Sequence, residues 1–327
     1  MGLTLSQALA RISLSSADSP IEVVEGESIQ SAIDQAAAGD EIRVGPGAYN
    51  ETLIVDKPLS IIAEAGPENT LIEANSQLFD FEGVPVGDFI VGAFNIVKTA
   101  DVLIQGFSVT NAIEGIWVST SQDVLVENCS AYGNVSSGYY FWASQDSKIR
   151  RSLGTKNAVG IYQGQSGNID MEECLFINNI GGVAPHLGGE YGLEFPGLGI
   201  LVGNRSNIGV IRGCKCNDNV DGGIQINFGV ERMLITENEI SNNPIGILMG
   251  ERGPEVHRNN IFNNHNLGIE AFLETDATEN WWGDPTGPGG AGNGAGDAVT
   301  GSVQYEPWLT EPVTLPDLSD IMPPASE

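Results

Sequence analysis

The chain has 327 residues, 42 of them Gly and 16 Pro, and only 17% of it is charged, which excludes a helical bundle or a coiled coil. Hydrophobic residues at 41% exclude wholesale disorder. Fourteen basic against 43 acidic residues give a net charge of −29, which repels phosphate backbones and anionic headgroups and argues against nucleic acid and membrane surfaces as partners.

Residues 1–20 lack the basic start and continuous apolar centre of a signal peptide, and no apolar run approaches the roughly 20 residues of a membrane span. They read as an N-terminal extension, with a cytoplasmic location or a leader already removed both open. ESIQSAIDQAAAGD (27–40) reads as a short amphipathic helix over 27–39, N-capped by Ser28 and closed by Gly39. It would plug the coil that begins EIRVGPGAYNETLIV.

From residue 115 the sequence repeats. GIWV, GYYF, GIYQ, GILV, GIQI, GILM and GIEA start at Gly115, Gly138, Gly160, Gly199, Gly223, Gly246 and Gly268, with spacings of 23, 22, 39, 24, 23 and 22. The outlier is one repeat of 22 plus an insertion of 17, assigned to 181–197. A second alternating series, such as DVLVENC and RMLITENEI, and a third short one ending in Asn-rich turns follow each Gly strand. Three short strands per repeat cannot bury their own apolar face, but stacked coils can. The prediction is an all-β, right-handed parallel β-helix of 22–24-residue coils spanning 21–308, with a capping helix and one loop insertion.

Asn128, Asn238, Asn259 and Asn280 recur at matching turns and read as a stacked ladder of side-chain amides, with Arg151 replacing a ladder Asn. Cys129, Cys174, Cys214 and Cys216 have no zinc spacing and read as buried free thiols. The run ENWWGDPTGPGGAGNGAGDA within 280–308 breaks the repeat, and Trp281 and Trp282 are large enough to close the last coil. The Pro-rich acidic stretch 309–327 reads as an extended tail.

With these features the chain resembles the pectate-lyase-like superfamily of right-handed β-helices. The segment SIQSAIDQAAAGDEIRVGPGAYNETLIVDKPLSI is similar to the start of pectin methylesterases and of periplasmic accessory proteins of nitrous-oxide reductase. NWWGDPTGP looks like an ending common in bacterial and archaeal members. The resemblance implies an extracellular or periplasmic protein whose partner is a polysaccharide or oligosaccharide. It carries over no catalytic motif. The Asn-Thr-Asp, Asp-Asp and Gly-His-Gly of polygalacturonases are missing, and Asp284-Pro285 is followed by Thr286 where mannuronan epimerases have His. Gly47, Tyr49 and Glu51 match the Gly-x-Tyr-x-Glu of pectin methylesterases, whose later aspartate motifs have no counterpart.

Alternation along the Gly-led strands sends Ile116, Ile161, Ile200, Ile224, Ile247 and Ile269 inward. It sends Trp117, Tyr140, Tyr162, Leu201, Gln225, Leu248 and Glu270 outward. The aromatic members, extended by Trp142 and Phe272, form a row on which pyranose faces can stack. Lys156, Gln225, Asn227 and Glu270 complete the expected binding set. Two readings stay open: an accessible sugar platform, or rings covered by the insertion or by a partner subunit. The insertion supplies His186, Glu190, Tyr191 and Glu194 as candidate catalytic groups, able to serve glycoside hydrolysis or proton abstraction beside a uronate carboxylate. Glu114 and Asp221 also precede Gly strands, as ordinary turn residues or as acids. No cofactor is evident, although Asp284 and Asp297 could offer oxygen ligands to calcium. The functional expectation is a carbohydrate-active lyase, epimerase or hydrolase. The alternatives are a non-catalytic glycan-binding or surface-structural protein and a periplasmic maturation or scaffold protein. The sequence sets no oligomeric state.

Overall fold

The computed structural model describes residues 19–74, 88–187, 193–203, 205–250 and 253–321. The repeat folds as predicted, into a right-handed parallel β-helix of about 10 turns. Strands of the third series stack into a nine-stranded sheet, and those of the first two series join into one of 21 strands. Register follows the Gly spacing. Ile116 pairs with Tyr139, then come Ile161, Ile200, Ile224, Ile247 and Ile269, all buried in one continuous core. The strand-entry glycines are steric requirements. A Cβ on Gly115 would lie 2.3 Å from the carbonyl oxygen of Gly138, and one on Gly246 would lie 2.5 Å from that of Gly268.

The turns carry side-chain ladders, because a buried turn N–H needs an acceptor from the next coil. One ladder runs through Asn134, Asn157, Asn179, Asn219, Asn243 and Asn264, each accepting the backbone N–H of its predecessor from Asn157 onward. Asp297 accepts from Asn264 and ends it. The ladder read from the sequence keeps Asn238, Asn259 and Asn280 in place but is shifted by one residue at its start. Asn128 and Arg151 are left-handed turn residues, with φ of 50° and 45°. The stacked positions are Cys129, Ser152, Cys174, Cys214, Asn238, Asn259 and Asn280. A hydroxyl, a thiol or an amide oxygen can each accept the same N–H, so residue type changes while geometry holds. All four Cys are free and buried.

The capping helix spans Ile29–Gln35, and Ser28 accepts from the Ser31 N–H, as expected. Its C-cap is Ala36, while Gly39 lies beyond it with φ 94°. Glu51 binds the open end of this helix, accepting from the Ser28 hydroxyl and from the N–H groups of Ile29 and Gln30. In this chain the Gly-x-Tyr-x-Glu element therefore anchors a helix. At the far end Trp282 is fully buried in the core, while Trp281 is half-buried.

The segment after Trp308 is extended but bound along the solenoid. Asn260 and Val313 exchange two hydrogen bonds, Leu318 is buried among Leu153, Leu175 and Ile177, and Asp320 pairs with Arg151. Cations also gather on the second series, where Arg150 faces Glu127 and Glu172 receives Lys148 and Arg212. Among the described residues no helix is long and apolar enough to cross a membrane.

Candidate functional site

The outward column of the Gly-led strands has the register read from the sequence. Trp117, Tyr140, Tyr162, Leu201, Gln225, Leu248 and Glu270 are successive partners. The aromatic members form one stack. Trp117 meets Tyr140 edge-on at 4.7 Å between centroids, and Tyr140 lies over Tyr162 at 4.4 Å and 28°. Each tyrosine leans onto a glycine of the following coil. A Cβ on Gly164 would fall 3.2 Å from the Tyr140 hydroxyl, and one on Gly203 would fall 2.6 Å from that of Tyr162.

The row is not open. Trp117 and Tyr140 are fully buried, and Trp142 and Tyr162 are half-buried. Of the two readings, coverage is the one found. Phe89, Val91 and Ile113 cover one side, and the insertion covers the other. Gly182–Ala184 pairs antiparallel with Leu193–Phe195, placing the Phe195 ring against Tyr162 at 5.2 Å. His186 meets Trp117 and Phe89 edge-on, and Leu187 packs against the aromatic cluster. Asp221 fastens the foot of the insertion, accepting the Gly197 N–H at 2.7 Å.

Beneath this cover lies Glu114. Its Oε2 accepts from the Ser137 N–H at 2.7 Å and from the Ser137 hydroxyl, and its Oε1 lies 3.3 Å from His186 Nε2. Both side chains are completely buried. Burial pushes the Glu114 carboxyl up to about 7, against the opposing hydrogen bonds of Ser137 and Ser136. Burial pulls His186 down to about 4. Tyr140 is raised well above its ordinary value by burial, then by the charges of Tyr162 and Glu114. Between those two values the carboxyl and the imidazole together hold one transferable proton, which suits acid or base work near neutrality.

The fold thus gathers His186, Tyr140 and Tyr162 around Glu114, with Trp117 and Trp142 packed against Tyr140. Glu114 and His186 lie 72 positions apart, and only the path of the insertion joins them. Glu194 stands exposed on the hairpin strand Leu193–Phe195, and Glu190 and Tyr191 lie outside the described residues. Lys156 is an exposed turn residue with φ 56°. Gln225, Asn227 and Glu270 are half-buried on later coils, where Gln225 Nε2 donates to Asn227 Oδ1 at 2.8 Å. The two aspartates considered for calcium serve the chain itself: Asp284 accepts from Thr286 and Asp297 from Asn264. Among the described residues no three His, Cys, Asp or Glu side chains are grouped to hold a metal.

The sequence profile of the family described as "Right handed beta helix region" matches residues 72–195 and 192–280. No curated protein matches the sequence. Among solved structures, an alginate lyase from Paenibacillus sp. str. FPU-7 superposes with a TM-score of 0.66 at 16% identity, covering 87% of this chain and 98% of the lyase. The A-module of mannuronan C-5 epimerase AlgE4 from Azotobacter vinelandii gives 0.56 at 13% identity, covering 85% and 86%. A polygalacturonase from Erwinia carotovora ssp. carotovora gives 0.54 at 11% identity, covering 90% and 99%. At these identities the shared property is the fold.

Proposed function

The chain belongs to the family of right-handed β-helix proteins, and we propose that it is a carbohydrate-active member that works on an extracellular polysaccharide along its outward columns. The supporting observation is a carboxyl with a pKa of about 7 at the foot of an aromatic stack, touched by a histidine from the insertion. At neutral pH a substantial part of Glu114 is protonated and can donate to a glycosidic oxygen, the step that begins hydrolysis. Glu194 on the insertion hairpin is the second carboxyl this reading calls on, as base or nucleophile. Lyase or epimerase chemistry would need a cation to neutralise a uronate carboxylate, and among the described residues no Lys or Arg joins the Glu114 cluster. Because Glu114 is fully buried, the hairpin Gly182–Ala184 with Leu193–Phe195 must open to admit a sugar and close again to bring Glu194 over it.

A panel of polysaccharides assayed for released products tests this reading. Turnover of at least one glycan is expected, falling by about 100-fold or more in Glu114→Gln with folding intact. Full activity in that variant would remove Glu114 from the chemistry. A second reading, non-catalytic glycan binding, draws on the sealing of Trp117 and Tyr140. It is the one to adopt if the wild-type protein binds glycans and releases nothing.

A further inference from the structure

We propose that Cys174 and Cys214 are a latent disulfide pair, joined by exchange with a small disulfide during folding, and that their bond staples the two coils that carry the insertion. The inference stands apart from the glycan reading and does not depend on it.

The parallel register places the pair. Glu172 pairs with Arg212 and Leu175 with Lys215 on the next coil, so Cys174 and Cys214, which lie between, stand directly opposite each other. Neighbouring strands lie about 4.8 Å apart, inside the roughly 4.4–6.8 Å between α-carbons that a disulfide spans. The two residues already touch, because the Cys174 N–H reaches the Cys214 sulfur at 3.5 Å. Both side chains are fully buried in the continuous core. Their thiols otherwise donate weakly to carbonyls, Cys174 to Glu172 and Cys214 to Met171 and Arg212, so little is lost when the bond forms. The other two cysteines are excluded by position. Cys129 belongs to the same ladder, but Ser152 stands between it and Cys174, and two coil spacings make about 9.6 Å. Cys216 pairs with Ile240 on the following coil. It lies two residues past Cys214, about 6.6 Å along an extended chain and at the far limit of the span.

The chemistry balances as thiol–disulfide exchange. One thiolate attacks the small disulfide, whose S–S bond breaks to release one thiol; the second thiolate attacks the mixed disulfide and releases the other. Cys174 and Cys214 together lose two protons and two electrons, and the small disulfide gains both. Burial, then the hydrogen bond and charge of Cys214, hold the Cys174 thiol well above its ordinary range. Thiolate is therefore scarce once the coils close, and the exchange belongs to the folding chain. The bond would close a loop of 40 positions that contains the insertion 181–197. It lies on the inner side of the stack, so the hairpin over Glu114 would open from two coils that cannot separate.

The whole chain, unfolded with reductant and refolded with either reduced or oxidised glutathione, tests this. Alkylation of the unfolded product counts its free thiols by mass, and a non-reduced peptide map identifies any bond. All four thiols should stay free after reducing refolding, and only Cys129 and Cys216 after oxidising refolding, with Cys174 linked to Cys214. Cys174→Ala and Cys214→Ala should each keep their remaining thiols free under both conditions, whereas Cys129→Ala should still form the bond. The oxidised wild-type chain should melt about 5 °C or more above the reduced one. Four free thiols after oxidising refolding, glutathione adducts without an internal bond, or a bond to Cys129 or Cys216 overturns the inference. So does a bonded chain that melts below the reduced one, since stacked coils would then not accept the link. The wild-type peptide map decides the pairing even where a variant fails to fold.

Discussion

Glu114 and His186 oppose each other in their response to pH. The Glu114 carboxyl is raised from an ordinary 4.5 to about 7, so its contribution to stability is present below 4.5 and is lost as pH rises through about 7. His186 is lowered from 6.5 to about 4, so its contribution is present above 6.5 and is lost as pH falls through about 4. Between 4.5 and 6.5 the two slopes cancel. With one member removed the other titrates alone, so the stability of Glu114→Gln should rise as pH goes from about 4 to 6.5, and that of His186→Gln should fall from about 4.5 to 7. The slopes approach 1.4 kcal/mol per pH unit, read by denaturant unfolding across that range. Parallel profiles for all three proteins would mean that the pair does not titrate as buried groups. Gly203 offers a separate handle. Alanine there needs no unusual φ, but its Cβ must displace the Tyr162 ring, with an expected loss of about 1–3 kcal/mol and a change in tyrosine fluorescence.

Among the elements, the ladders carry more than their polar composition suggests. Asn219 Oδ1 accepts from the backbone and side chain of Asn179, and its Nδ2 donates to the Phe176 carbonyl. Asn219→Ala should strand these buried groups and cost about 3 kcal/mol in unfolding experiments. An exposed Asn such as Asn50 should cost far less. The sequence made the strands legible because side-chain alternation and Gly spacing repeat at every coil. It placed Asn238, Asn259 and Asn280 correctly but missed the start of that ladder by a single residue, since Cys129 and Ser152 do the work of an Asn with different side chains. The covered state of Trp117 and Tyr140 was open in sequence because it depends on where the insertion folds back. Glu114 was visible as an acid before a glycine, but its partner comes from a segment whose length says nothing about its direction.

Across the whole molecule the charge of −29 is spread over a stack in which several cations are committed to local pairs, among them Lys148, Arg150 and Arg212 on the second series. Added salt should therefore raise the melting temperature by screening acid–acid repulsion, and a fall would show that those pairs dominate. The chain beyond Trp308 bears on how this solenoid comes apart. A linear stack can fray from either end one coil at a time. Here Leu318 is lodged among Leu153, Leu175 and Ile177, and Asp320 reaches Arg151 across 169 positions of sequence. Peeling the final coils must therefore drag out a residue seated near the middle. Opening at the C-terminal end becomes a single cooperative event, and hydrogen exchange there should match that of the central coils until Leu318→Ala uncouples them.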